Sequence, residues 1–159
     1  KKKKKKKKKK ICKQYDNGDK SVQVIPIDDN IYEWKVKFSN FDSESAIYLD
    51  LMKLGNIYGE EWNCVEMHVS FLMELFPIYP PKVRLVRPRL ENFMFGRIVC
   101  MEELQVAKWN PVRTLEDIFN AIRHLILKAG HVDVTNPVNN PSNERPPFTE
   151  MEYQLLRLS

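Results

Sequence analysis

Cysteine is scarce in this sequence. Its three cysteines, Cys12, Cys64 and Cys100, are too few and too scattered for a disulfide framework. None sits in a Cys-x-x-Cys pair of the kind that holds zinc or forms a redox dithiol, so a reducing compartment is expected. Long apolar runs are missing too: no stretch approaches the length that spans a bilayer, and no succession of charged, apolar and small residues resembles a signal peptide. These absences argue against a stapled secreted scaffold and a membrane span, and a soluble intracellular protein is expected. There is no initiating methionine, which reads as a fragment of a longer chain.

Charge of one sign is confined to a single tract. The chain has 26 Lys and Arg against 21 Asp and Glu, a net of +5, but ten of the basic residues form the run Lys1 to Lys10. Outside it, 16 basic residues face 21 acidic ones, a net of −5. Clustered lysines bind phosphates through counterion release, yet a homopolymer also repels itself and reads more readily as a solvated segment than as a binding patch. No nucleic-acid and no membrane partner is expected. At 159 residues the chain has the size of one domain with one core. Residues 1–14 read as a low-complexity basic tract or the remnant of an N-terminal helix, and residues 15–159 as the core domain.

Alternation of apolar and polar residues predicts strands. Ser21 to Ile25 and Ile31 to Phe38 flank the turn signal Asp28-Asp29-Asn30, and in the second run Tyr32, Trp34, Val36 and Phe38 share a face while Glu33, Lys35 and Lys37 face water. Ser43 to Leu54 fits either a short helix or a packed loop. Cys64 to Leu72 alternates again, with Val65, Met67, Val69 and Phe71 on one side and Glu66, His68 and Ser70 on the other, so His68 reads as a surface histidine. Lys82 to Arg87 is the fourth strand, closed by Pro88, and irregular chain is expected from there to Cys100. Thr114 precedes the helical stripe Leu115, Ile118, Phe119, Ile122, Leu125 and Ile126, with Asp117 placed for a capping box and Gly130 as the stop. Asn136 to Pro147 reads as loop, and Thr149 with Glu152 opens a short C-terminal helix. Strands in succession followed by helices indicate an α+β layer.

Cys100 is the residue with chemical potential. A thiolate is a nucleophile, and its thioester stays reactive toward amines because sulfur is a good leaving group. Taken alone, a cysteine within Ile98-Val99-Cys100-Met101 is more often a small buried hydrophobe. Its surroundings change that reading. The turn Phe76-Pro77-Ile78-Tyr79-Pro80-Pro81-Lys82, then Ile98-Val99-Cys100-Met101-Glu102, then Trp109-Asn110-Pro111 before a long amphipathic helix, resembles the core signature of ubiquitin-conjugating enzymes. Asp29 to Lys37, Phe76 to Arg84 and Val99 to Glu102 resemble the Q branch of that family, and the likeness runs from about Ser21 to Pro141.

The resemblance implies the ubiquitin-conjugating fold: a four-stranded antiparallel meander with a central helix and C-terminal helices. It implies that Cys100 accepts ubiquitin or a ubiquitin-like protein as a thioester from an activating enzyme and passes it to a substrate amine or a ligase. It implies no metal and no cofactor, because ATP is used by the activating enzyme. Ile78, Pro111 and Val112 match positions that dock a ligase. Trp109 is expected to anchor the core beside the cysteine loop. A monomer in the cytoplasm, the nucleus or both is expected. The family's N-terminal helix falls where the polylysine run and Ile11 to Gln14 stand, so weakened charging by the activating enzyme is expected of this chain.

One departure stands out. The family's usual His-Pro-Asn triplet is replaced by Arg87-Pro88-Arg89, a loss shared by the Q branch. Asn92, eight residues before Cys100, has the sequence offset of the usual Asn and is a candidate for oxyanion or loop support, against the reading of a surface turn residue. Asp133 is a candidate gate for the incoming lysine, against an ordinary loop residue. His124 and His131 invite a Cys-His dyad, but His124 falls off the apolar face of its helix. Two rivals remain: a catalytically inactive variant that serves as a ubiquitin or partner binding module, and a cysteine hydrolase, for which no motif is present.

Overall fold

The computed structural model describes residues 21–72, 74–91, 94–95, 98–99 and 101–132. Strand β1 (Val22–Ile27) turns at Asp28 and Asp29 into β2 (Asn30–Phe38). Both aspartates have positive φ, 50° and 56°, as a tight hairpin turn with the right twist demands, and Asp is among the residues that tolerate it. Helix α1 (Ala46–Tyr58) follows, then a 3-10 turn at Glu60–Trp62, β3 (Val65–Ser70) and β4 (Lys82–Arg87). Short strands β5 (Leu90–Glu91), β6 (Met94–Phe95) and β7 (Ile98–Val99) precede a 3-10 turn at Glu102–Leu104. Helix α2 (Leu115–Ala129) and β8 (His131–Val132) complete the described chain.

The strands form an antiparallel sheet in the order β1-β2-β3-β4-β7-β6, and β5 pairs with β8 in a separate ribbon. The four-stranded meander and central helix are thus present, with β7 and β6 extending the sheet. The stretch between Pro88 and Cys100 contains three short strands where irregular chain was expected; two-residue strands are too short to leave an alternation pattern. Residues 1–20 and the expected C-terminal loop and helix lie outside the described residues.

Trp34, Val36 and Phe38 from β2, Val65, Met67 and Val69 from β3, and Val83 and Leu85 from β4 are buried against Ile118, Phe119, Ile122 and Ile126 of α2. Tyr32 packs at the edge of this core. Helix α1 forms because Ser45 caps it, its hydroxyl accepting from Tyr48 N–H at 3.3 Å, and because Ile47, Leu51 and Leu54 recur on one face. Gly59 ends it with φ 107°, a conformation that side chains resist. Thr114 and Asp117 cap α2 reciprocally, each side chain accepting from the other's N–H at 3.1 Å. Gly130 stops α2 with extended dihedrals; a Cβ there would strike the Ile126 carbonyl oxygen.

The polar side of β3 differs from expectation. Glu66 is only 4% exposed, its carboxylate 3.6 Å from the Arg87 guanidinium, which also reaches Glu61 at 3.5 Å and lies over the Trp62 ring. His68 is half-buried, with Nδ1 3.0 Å from Arg84 Nη2. Both residues are covered because long arginine side chains of β4 fold across the face, which alternation alone does not reveal.

Candidate active site and partner face

Cys100, Asn92 and Asp133 lie outside the described residues; the residues flanking Cys100 lie within them. Val99 and Met101, on either side of Cys100, are both buried in the core. After Met101 the chain tightens at once: Leu104 N–H donates to Met101 O at 3.1 Å and Gln105 N–H to Glu102 O at 3.0 Å. Glu102 pairs with Lys108 at 2.6 Å, and Glu103 approaches Arg113 at 4.0 Å. Both pairs are solvent-exposed and contribute little stability, but they leave the acidic pair after Cys100 matched by cations.

Cys64 behaves as the inert kind of cysteine. It is buried, its Sγ 3.7 Å from Glu61 O, and burial pushes its thiol pKa up, which keeps it protonated. His124 is exposed on α2, and His131 is exposed in β8, where it pairs with Glu91 of β5. Among the described residues no group of three or more His, Cys, Asp or Glu is arranged to hold a metal ion.

The expected ligase-docking residues lie on two loops that the structure ties together. Trp109 Nε1 donates to Pro77 O at 2.8 Å, joining segments 32 residues apart in sequence. Its ring continues an aromatic series from the core: Trp34 to Phe71 at 4.8 Å, Phe71 to Phe76 at 4.9 Å and Phe76 to Trp109 at 6.5 Å between centroids. Trp109 therefore anchors the loop, as expected, and it also fixes the proline turn. Ile78, next to Pro77, is 67% exposed, and Val112, three residues past Trp109, is 86% exposed; Pro111 is exposed as well. Asn110 shapes this loop, its Oδ1 accepting from Val112 N–H at 3.0 Å. Leu75 and Tyr79, exposed on the same turn, add apolar surface that sequence reasoning missed. Their exposure could not be read from periodicity because the turn has none.

No family model matches this chain. Among curated proteins it is 31% identical over 131 residues to the probable ubiquitin-conjugating enzyme E2 R521 of Acanthamoeba polyphaga mimivirus, covering 80% of this chain and 9% of that protein. It is 26% identical over 112 residues to a human Q-like ubiquitin-conjugating enzyme protein, covering 69% of this chain and 65% of that protein. With human ubiquitin-conjugating enzyme E2 Q1 the identity is 29% over 116 residues, covering 72% of this chain and 26% of that protein. The chain thus spans less than two thirds of each of these relatives. Its fold is similar to that of a ubiquitin-conjugating enzyme E2 from Plasmodium falciparum, with a TM-score of 0.58, 16% identity, and coverage of 79% of this chain and 97% of that one. Sheet order, central helix and these likenesses agree, and together they support placing the chain in the ubiquitin-conjugating enzyme family, with Q-like members among the proteins it resembles.

Proposed function

We propose that this chain accepts ubiquitin or a ubiquitin-like protein on Cys100 and transfers it to a substrate amine or a ligase cysteine. In charging, the Cys100 sulfur bonds to the modifier's C-terminal carbonyl carbon as that carbon's bond to the activating enzyme's sulfur breaks. In transfer to an amine, the nitrogen attacks the same carbon, the carbon–sulfur bond breaks, sulfur leaves as thiolate, and the amine proton passes to solvent. The carrying observation is a cysteine in a Val-Cys-Met-Glu context, its two neighbours Val99 and Met101 buried, in a chain that resembles this family. Packed neighbours give a reacting group a rigid support, which positional catalysis requires. The exposed apolar residues Ile78, Pro111 and Val112 suit a weak, exchangeable ligase contact.

The test incubates the protein with activating enzyme, ATP and ubiquitin, and compares nonreducing and reducing gels. A thiol-sensitive adduct is expected for the wild type and for Cys64→Ala, and none for Cys100→Ala. Absence of any adduct, with related modifiers also tried, would favour the second reading: a noncatalytic module that holds ubiquitin or a partner. The missing His-Pro-Asn triplet is the observation that keeps this second reading in play.

A further inference from the structure

Helix α1 is apolar on both sides. Ile47, Leu51 and Leu54 face the core, while Leu49, Met52 and Ile57 recur on the opposite side, each about half exposed or more. The stem of Lys53, placed between Leu49 and Ile57 at helical spacing, continues this outer stripe. Single apolar residues on a surface need no explanation, but a stripe running about 12 Å along one helix face does. A helix with two apolar sides sits between two layers, and the core supplies only one of them.

Charge at the end of the stripe indicates what completes it. Helix α1 has no basic residue in its last turn, and Glu60 and Glu61 follow it directly, so the negative end of the helix dipole is reinforced. Arg87 meets Glu61 at 3.5 Å, and no cation meets Glu60 among the described residues. The other end is already matched: Asp42 and Glu44 stand exposed before the first turn, where the dipole favours anions. The helix is also preformed, capped by Ser45 and tied to β8 through the Val132 N–H, which donates to Asp50 Oδ2 at 3.2 Å. Little order is lost when a partner meets a surface of this kind.

We propose that the outer face of α1 docks an amphipathic helix of another protein, its apolar side against Leu49, Met52 and Ile57 and a Lys or Arg at the end that meets Glu60. A second helix laid along the first suits a narrow, straight stripe, because ridges on one enter grooves on the other. The partner's cation answers both the Glu60 carboxylate and the carbonyls at the helix end. This surface lies on a different element from the loops that carry Ile78 and Val112, and the inference does not depend on the chemistry at Cys100.

The probe is a fluorescent amphipathic peptide held helical by a lactam link, with leucines along one face and lysines in its last turn. A second peptide has glutamine in place of each lysine. Fluorescence anisotropy measures the binding of each to the full chain, with melting temperature recorded for every variant. The lysine peptide is expected to bind several-fold more tightly than the glutamine peptide at low salt, by a margin that shrinks as salt rises. Met52→Asp binds the lysine peptide about tenfold more weakly, the effect of about one buried apolar side chain. Glu60→Lys removes the margin between the two peptides and, because it offsets the helix dipole, does not lower the melting temperature. Val112→Asp binds both peptides as the wild type does. Equal binding of the two peptides by the wild type overturns the proposal, as does undiminished binding by Met52→Asp or an equal loss in Val112→Asp. Should Met52→Asp fail to fold, Glu60→Lys decides, and a margin that survives it overturns the proposal. Failure of the full chain to bind either peptide overturns it as well, in favour of a stripe covered by this chain's own residues or by a second copy; a dimer in sedimentation marks the second copy.

Discussion

Arg123 shows how much one side chain can hold. Its Nη1 donates to Ser21 O at 2.8 Å and to Ser39 O at 2.6 Å, its Nη2 to Asn40 O at 2.8 Å, and the guanidinium lies 4.5 Å over the Phe41 ring. The planar fork joins α2 to the start of β1 and to the loop after β2, tasks that a lysine's single ammonium performs only in part. Arg123→Ala is expected to cost about 2 kcal/mol, because three carbonyls lose a charged donor. Arg123→Lys should recover less than half of that. Urea unfolding checks both variants, through a lowered midpoint at unchanged slope. Cys64 makes the opposite point at the same scale. A thiol with an uninteresting pattern in sequence is buried in the structure, and that burial pushes its pKa up, which is why it serves as the control for Cys100.

Among the elements, α2 is the one whose ends were legible residue by residue. Thr114, Asp117 and Gly130 were expected to start, cap and stop it, and the structure has Thr114 as N-cap, a full capping box and Gly130 at the C-cap. The Asp117 carboxyl is held below its usual range, first by the Thr114 N–H that donates to it and then by a hydrogen bond from the Thr114 side chain. A depressed carboxyl stabilises the fold while it is ionised. The contribution of Asp117 is therefore present above the ordinary Asp range, about pH 4, and fades as pH falls through the depressed value. Asp117→Asn should flatten that acid limb of the melting temperature against pH. Thr114→Ala should cost about 1 kcal/mol and weaken the same pH dependence only in part, since the side-chain hydrogen bond is lost while the backbone N–H of residue 114, the larger cause, remains. Helix α1 was less legible. Ser43 to Leu54 fits a helix and a loop equally as a pattern, and the outcome depended on Ile47, Leu51 and Leu54 finding a core to face.

At the scale of the whole molecule, the aromatic series from Trp34 through Phe71 and Phe76 to Trp109 connects the buried core to the exposed face carrying Ile78 and Val112. The Trp109 to Pro77 hydrogen bond joins the two loops of that face. Val112→Asp alters a side chain that is almost wholly in water, so its stability should stay within about 0.5 kcal/mol of wild type. On the proposed function the same change should weaken ligase-stimulated discharge several-fold and leave unassisted discharge to free lysine unchanged. Equal ligase stimulation of Val112→Asp and the wild type would remove this face from the ligase contact.

Linear order and local period are what the sequence by itself determined: the Asp28-Asp29 turn, strands at Ser21 to Ile25, Ile31 to Phe38, Cys64 to Leu72 and Lys82 to Arg87, and the capped helix from Thr114 to Gly130; the proline turn, cysteine context and tryptophan added a family resemblance. Each is written in residues close together along the chain, where turn chemistry, alternation and capping act. Tertiary structure alone decided which side chains meet across the fold. Trp109 reaches Pro77 across 32 residues, Asp50 reaches Val132 across 82, and Arg123 reaches Ser21 across 102. Arg87 covers Glu66, and Ser43 to Leu54 resolves into helix only from Ala46 onward, against the core. Such contacts leave no local pattern, because a hydrogen-bonding group or a charge is satisfied by whatever the packed chain brings to it.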